Sequence, residues 1–338
     1  MPVRNARPYL DASIASILAQ SHRDLELVIG DDGSSDGSSE LVEGWARRDS
    51  RIRVHRSEAG LGPSGSSNWV TRLAAHDIVA RMDADDVSGP RRLEAQLESL
   101  RADPRAVLIG TLSDFIDSSG RRVRPPMRSN LRHLDSHCAP FPHGSIMFRR
   151  EAFERAGGYR PTCDYWEDQE LYWRLAETGD VLVLPQVHYS HRFNSGQSRI
   201  RVDTRRVERA LDLFYRCLGA RERGDDYDLI LEGDDGGSAG IGPNAYRALA
   251  SLQLMSGARP RLVRKVLRSQ RLGLDRQSLL SLAWCSAAFV SPAALRLAMR
   301  GYAYGREALL GRVDADGPLV WAPQVRRSAE WEPGAEAA

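Results

Sequence analysis

Residues 25–37 read Leu25-Glu26-Leu27-Val28-Ile29-Gly30-Asp31-Asp32-Gly33-Ser34-Ser35-Asp36-Gly37. The first five have the composition of a short buried strand, and the glycines, serines and aspartates after them are turn formers. The pattern predicts a strand over Leu25–Ile29, a polar turn over Asp31–Gly37 and a helix through about Arg48. Upstream, Leu10, Ile14, Ile17 and Leu18 fall on one face of a helix over Pro8–Gln20. Downstream the unit recurs. Ile52–Val54 is a strand, Gly60–Gly65 a loop, and a helix starts near Ser66. Ile78–Met82 is a strand that ends in Asp83-Ala84-Asp85-Asp86, and a helix follows from Pro90 to about Leu100. Val107–Ile109 and residues 144–149 read as strands, with a short helix up to Gly157-Gly158. Trp166–Glu177 reads as a helix with Leu171, Trp173 and Leu175 toward the core. This alternation predicts an α/β fold.

The 338 residues are 42% hydrophobic and 27% charged, which fits a soluble globular chain. A formal net charge of +2 gives no field that selects nucleic acid. Cys138, Cys163, Cys217 and Cys285 are widely spaced with no CxxC pair, so neither a zinc site nor a disulfide framework is predicted. A reducing cytoplasm fits, and no signal-peptide pattern opens the sequence. After Ile200 the pattern changes to a mainly helical one, with an acidic loop near Asp225–Asp235. The expected organisation is a catalytic domain over 1–200, a helical appendage over 201–320 and a flexible tail over 321–338. Arg259–Arg271 reads as a basic amphipathic helix beside the apolar stretch Leu279–Met299. Pro292 and Arg296 interrupt that stretch, which argues against a membrane span. Such a pair suits peripheral contact at the inner face of a cell membrane, and equally a helical domain packed on the catalytic core.

Three acidic clusters carry the functional reading: Asp31-Asp32, Asp83-Ala84-Asp85-Asp86 and Glu167-Asp168. The first two follow strands, and in open α/β sheets ligands bind beyond the carboxyl ends of the strands. A crevice of carboxylates repels a diphosphate unless a divalent cation sits between them. Hard oxygen ligands such as Asp85 suit Mg²⁺ or Mn²⁺. Read one at a time, strand-end aspartates are turn formers and helix caps; three clusters in this order shift the balance.

The order of motifs resembles family 2 glycosyltransferases of the GT-A fold. Pro2-Val3-Arg4-Asn5, Ser13-Ile14-Ala15-Ser16-Ile17-Leu18-Ala19-Gln20, the acidic turn 31–36, Leu61–Asn68, the DxD at Asp83 and Asp85, Gly157-Gly158-Tyr159, Glu167-Asp168 and Trp173-Arg174-Leu175 all match that family in sequence. The resemblance covers about residues 1–200 and implies a GT-A-type, Rossmann-like mixed sheet flanked by helices. It implies inverting transfer of a hexosyl group from a nucleotide-diphosphate sugar to a hydroxyl of a saccharide or lipid-linked acceptor, in cell-surface polysaccharide or glycolipid assembly. It implies that Asp168 is the general base, that Asp32 reads the nucleotide base and that Asp85 ligates Mg²⁺ or Mn²⁺. Donor contacts fall on Pro2, Val3, Asn5, Asp31, Asp32, Ser64, Gly65, Asn68 and Asp83. The acceptor side falls on Glu167, Trp166, Arg174 and His143, with core packing an equal reading for Trp166 and an ion pair to Glu167 an alternative for Arg174. Two features depart from the family. No glycine stands near Ala75-His76-Asp77, and the family's first strand begins several residues before Pro2, so a natural start upstream is expected.

Other readings compete. Gly60-Leu61-Gly62-Pro63-Ser64-Gly65 is a literal GxGxxG, with Asp85 twenty residues on. A dinucleotide oxidoreductase, however, leaves Asp31-Asp32 and Glu167-Asp168 without a role. Asp83-Ala84-Asp85-Asp86-Val87 also resembles the nucleophilic loop of haloacid-dehalogenase-like phosphatases, but the lysine such enzymes use has only Lys265 as a candidate. A non-catalytic nucleotide-sugar-binding protein is the remaining alternative.

Overall fold

The computed structural model describes residues 1–122, 139–192, 204–234 and 317–321. Cys138, Cys285, the basic stretch 259–271, the apolar stretch 279–299 and the tail beyond Trp321 lie outside the described residues. The chain runs β1 (Pro2–Val3), α1 (Arg7–Leu18), β2 (Leu27–Asp32), α2 (Ser38–Ala46), β3 (Ile52–Ser57), α3 (Gly62–Leu73), β4 (Ile78–Ala80), β5 (Val87–Ser88), α4 (Arg92–Ala102) and β6 (Ala106–Ile116). It continues through β7 (Met147–Arg149), α5 (Arg150–Arg155), α6 (Glu167–Thr178), β8 (Asp180–Arg192), α7 (Thr204–Arg223), α8 (Asp228–Glu232) and β9 (Leu319–Trp321).

Two half-sheets result. β1, β2 and β3 are parallel, in the order β1-β2-β3. The second follows the order β4-β7-β6-β8-β5, with β9 on β8. Within it β6 and β8 run parallel, and the other pairs are antiparallel. The mixed sheet flanked by helices is the α/β fold of the alternation in the form the resemblance implies.

Close packing of α3 on β2 sets the donor side of the molecule. A Cβ on Gly30 would stand 2.3 Å from Val70 Cγ2 and 2.8 Å from the Trp69 ring, so only glycine admits the helix there. The face of α3 turned inward is mostly small, with Ser64, Ser66, Ser67 and Thr71 buried. This helix begins at Gly62, earlier than the loop expected over Gly60–Gly65. Pro63 in its first turn is pre-set for helical φ, and Gly62 supplies the entry at φ +74°. The two later glycines of the GxGxxG are therefore part of a helix start and not a free phosphate loop.

Two other expectations are corrected, and one strand had no expectation. β2 runs through Asp32, so Asp31 and Asp32 belong to a strand and the turn starts at Gly33. The acidic loop near Asp225 contains the short helix α8. Residues 180–192, which carry no clear sequence signal, form the longest strand among the described residues. Pro185 masks it in the sequence, and the structure accommodates Pro185-Gln186 in a register shift, since Thr111 pairs with Leu184 and Leu112 with Val187.

Elements beyond residue 200 share the core of those before it. Phe214 of α7 stacks on Trp173 at a centroid distance of 5.9 Å and meets Trp166 edge-on at 5.5 Å. Leu213, Cys217 and Ala220 join the same apolar cluster. β9 pairs with Val181–Val183, and Trp321, assigned above to the tail, is only 1% exposed in that core. Among the described residues no helix is long and apolar enough to cross a membrane.

Candidate active site

The first acidic cluster is built into the β2–α3 corner. Asp31 accepts hydrogen bonds from Ser39 Oγ and from Ser34 N at 3.0 Å. Asp32 accepts from Leu61 N at 2.9 Å and from Ser66 Oγ at 3.0 Å, at the positive end of α3. Arg4 lies 3.5 Å from its other flank, and the Asp32 side chain is 2% exposed. Pro2 and Val3 pair with Gly30 and Asp31. Asn5, at φ +53°, donates its backbone N–H to Ser34 Oγ and accepts from Ser35 N at 2.8 Å. These residues tie the first strand to the acidic turn.

The second cluster sorts itself by side. Asp83 and Asp85 are half-buried, while Asp86 is fully buried. Asp86 is a structural anchor, accepting from Arg192 N at 2.8 Å and facing His191 Nδ1 at 3.2 Å. Burial opposes charge on His191, but Asp86 outweighs it and raises the pKa to about 9. Asp85 accepts Arg192 Nε on its backbone carbonyl at 2.6 Å. Asp83 pairs with Arg81 Nη2 at 3.0 Å. Burial works against charge on Arg81 too, and Asp83 more than restores it. Among the described residues, no group of three or more His, Cys, Asp or Glu could hold a metal by itself. Two accessible carboxylates one residue apart nonetheless fit a hard cation that completes its sphere with phosphate oxygens and water, as Mg²⁺ does. Gly144 seals this side, because a Cβ there would meet Tyr189 Oη at 1.9 Å and an Asp83 carboxylate oxygen at 2.8 Å.

The third cluster is held by α3 across about a hundred residues of sequence. Asn68 clamps Tyr159 from both sides, Nδ2 donating to its carbonyl and Oδ1 accepting its N–H, each at 2.8 Å. Ser64 N donates to Asp164 Oδ1 at 3.0 Å, and Ser64 Oγ to the Arg160 carbonyl at 3.1 Å. The loop from Gly157 to Trp166, with Tyr165 at φ +78°, thereby delivers Glu167 and Asp168 to the start of α6. The N-cap of α6 is Trp166. Asp168 sits in the first turn and accepts from Gln169 N at 2.9 Å. Ser64 and Asn68, expected at the donor, thus hydrogen-bond to the loop that carries the proposed base, and Gly65 lies within α3.

The acceptor-side residues divide. His143 Nε2 shares a hydrogen bond with Tyr159 Oη at 2.8 Å, and its Nδ1 lies 3.7 Å from Glu167 Oε1. Trp166 packs in the core against Trp173 and Phe214, the bland alternative for it. Arg174 does not pair with Glu167. It binds Glu170, one turn back, with Nε to Oε1 at 2.6 Å, and holds the carbonyls of Ala156 and Gly158. Four residues is one helical turn, so Glu170 faces Arg174 directly, whereas seven residues is two turns and out of reach. Sequence reading missed Arg81, Arg92 and Asp164, and gave Tyr159 no role beyond its motif. Arg92 is fully buried, held to the carbonyls of Arg81 and Gly144, and burial pushes its pKa down to about 10. No pattern marks a buried arginine such as Arg92, because its role depends on carbonyls 11 and 52 residues away in the chain.

Residues 1–157 match the family model described as glycosyl transferase family 2. The putative glycosyltransferase EpsE of Bacillus subtilis is 30% identical over 239 residues, covering 69% of this chain and 85% of that protein. The chain belongs to glycosyl transferase family 2. The amylovoran biosynthesis glycosyltransferase AmsE of Erwinia amylovora is 28% identical over 220 residues, covering 64% of this glycosyltransferase and 82% of AmsE. Among solved structures, S. aureus TarS 1-349 in complex with UDP-GlcNAc superposes with a TM-score of 0.53 at 15% identity, over 99% of this chain and 98% of that one. The mannosyltransferase PcManGT from Pyrobaculum calidifontis, in complex with GDP-Man and Mn²⁺, gives 0.51 at 18% identity, over 91% and 84%. These likenesses show the GT-A fold.

Proposed function

We propose that this glycosyltransferase transfers a sugar from a nucleotide-diphosphate donor to an acceptor hydroxyl with inversion, in a single displacement. One observation carries the reading: a continuous chain of contacts links the second acidic cluster to the third. Asp83 pairs with Arg81, Arg81 lies 5.9 Å over the Tyr159 ring, Tyr159 bonds His143, and His143 faces Glu167 beside Asp168. Asp168 takes the proton of the acceptor hydroxyl as the oxygen forms its bond to the anomeric carbon. The bond from that carbon to the phosphate oxygen breaks, and the electron pair leaves with the nucleoside diphosphate. One displacement needs no carboxylate nucleophile, unlike retaining glycoside hydrolysis. Asp85, with Asp83 beside it, would hold a Mg²⁺ or Mn²⁺ ion, which when bound neutralises the diphosphate and stabilises the leaving group.

UDP-GlcNAc and GDP-Man in the structural neighbours support a nucleotide-sugar donor. The names of relatives from amylovoran and O-antigen biosynthesis support a saccharide or lipid-linked acceptor in polysaccharide assembly. The basic amphipathic stretch 259–271 supports a protein that works at the inner membrane surface. The test is a screen of nucleotide sugars with Mn²⁺, reading nucleoside-diphosphate release and the anomeric configuration of the product. Inverted product from at least one donor is expected. Donor binding without turnover would favour the non-catalytic alternative, and retained configuration would overturn the mechanism.

A further inference from the structure

The start of α3 bonds to all three acidic clusters. Leu61 N and Ser66 Oγ donate to Asp32 at 2.9 and 3.0 Å. Ser67 Oγ accepts from Arg81 Nη1 at 2.7 Å, and Arg81 pairs with Asp83. Ser64 and Asn68 bond the loop from Gly157 to Trp166, at Arg160, Asp164 and Tyr159. The helical period divides these tasks. Ser64, Ser67 and Asn68 stand at i, i+3 and i+4 and share one face, while Ser66 turns to the far side, toward Asp32. Arg174 of α6 holds the start of the same loop by the carbonyls of Ala156 and Gly158. The loop is thus gripped from both sides, and its conformation needs the grip. Tyr165 stands at φ +78°, a left-handed conformation that a bulky side chain keeps only where its surroundings fix it.

We propose that Asn68, with Ser64, is a positioning residue that sets Asp168 at its working distance from the donor, a role that rests on Asp168 being the base. Asn68 meets both polar groups of one backbone residue at once. Its planar amide offers a donor to the Tyr159 carbonyl and an acceptor to the Tyr159 N–H. From Tyr159 the chain makes a short 3-10 turn, Pro161–Cys163, before Trp166 caps α6. A shift at Tyr159 therefore carries to the first turn of α6, where Glu167 and Asp168 sit. Because the same helix bonds Asp32, the base and the donor side share one support. Misplacing a catalytic group by about 1 Å costs about a hundredfold in rate, while contacts to the donor itself stay in place.

The experiment compares the full chain with Asn68→Ala and Ser64→Ala. The probes are UDP-GlcNAc and GDP-Man with Mn²⁺, and release of UDP or GDP is the readout. Asn68→Ala should lower kcat by about 10- to 100-fold with the donor KM within about twofold of wild type. In the free protein it should also speed hydrogen exchange of the Trp166 amide, which bonds the Cys163 carbonyl and not Asn68, by about tenfold. The Ile29 amide of β2 should not change. Ser64→Ala loses one side-chain bond and keeps the backbone bond to Asp164, so its effects should be smaller and of the same kind; it carries the test if Asn68→Ala does not fold. A raised donor KM at unchanged kcat would return Asn68 to the donor contacts and overturn the proposal. A Trp166 amide that exchanges at the wild-type rate would do the same. Asp168→Asn, measured alongside, keeps the two readings apart. An inactive Asp168→Asn beside a fully active Asn68→Ala overturns the positioning role alone, whereas an active Asp168→Asn overturns the base and the positioning role with it.

Discussion

At the scale of single residues, Asp168 and Met1 give opposite kinds of prediction. Asp168 lies in the first turn of α6, where its carboxylate accepts from Gln169 N, but the N-cap position itself is held by Trp166. Asp168→Asn keeps shape and removes basicity. Transfer should fall by about two to four orders of magnitude, while donor binding and melting temperature barely move. Near-normal turnover would show that the base is elsewhere. Asp85→Ala should abolish metal-dependent donor binding measured by calorimetry, because the diphosphate would face uncompensated carboxylates. Full wild-type activity in EDTA would count against any metal at Asp85. Met1 concerns stability. Its amine has a folded pKa of about 5 against 8.0 in the open chain, so the unfolded state binds a proton that the folded state refuses. Stability from this group is highest above pH 8 and falls as pH drops toward 5, by at most about 4 kcal/mol. Urea unfolding at pH 8 and pH 5.5 should show that decline, and a chain extended ahead of Met1 should lack it.

At the scale of elements, α6 shows how a motif residue can be structural. Glu170 is fully buried and receives Arg174, Arg160 and the Tyr227 hydroxyl, the last at 3.3 Å. Arg160 also pairs with Asp228 of α8. One carboxylate therefore fastens the Gly157-Gly158-Tyr159 loop, α6 and α8 together. Removing one partner of a buried pair leaves an uncompensated charge, which costs about 3–5 kcal/mol. Arg174→Ala should lower stability by that order in denaturant unfolding, with KM for the acceptor unchanged in whatever enzyme remains folded. A raised acceptor KM at unaltered stability would return Arg174 to the acceptor site. Helix α1 and the strand–turn units were legible, since their apolar periodicity is local. Strand β8 was not, because Pro185 interrupts the pattern and only the register shift against β6 absorbs it.

At the scale of the whole molecule, the catalytic core does not stop at residue 200. Phe214 and Trp321 fill the same apolar cluster as Trp166 and Trp173. A chain cut after residue 200 would expose that cluster and should be insoluble or bind a hydrophobic dye, whereas the intact chain should not. The proposed membrane role belongs to this scale as well. Co-sedimentation with anionic liposomes at low salt, weakened by added salt, is expected if the basic stretch 259–271 carries that role. Absence of binding at low salt would remove that role.

The sequence alone determined the fold class, the three acidic clusters and their order, because strand periods, turn residues and strand-end aspartates are properties of neighbouring residues. Tertiary structure decided which members of those clusters face the crevice. Asp83 and Asp85 remain accessible while Asp86 turns inward to His191 and Arg192, a choice made by β5 pairing with β8 about a hundred residues later. It also decided that Ser64 and Asn68 hold the loop bearing Asp168, since a clamp exists only when both of its sides have been brought together.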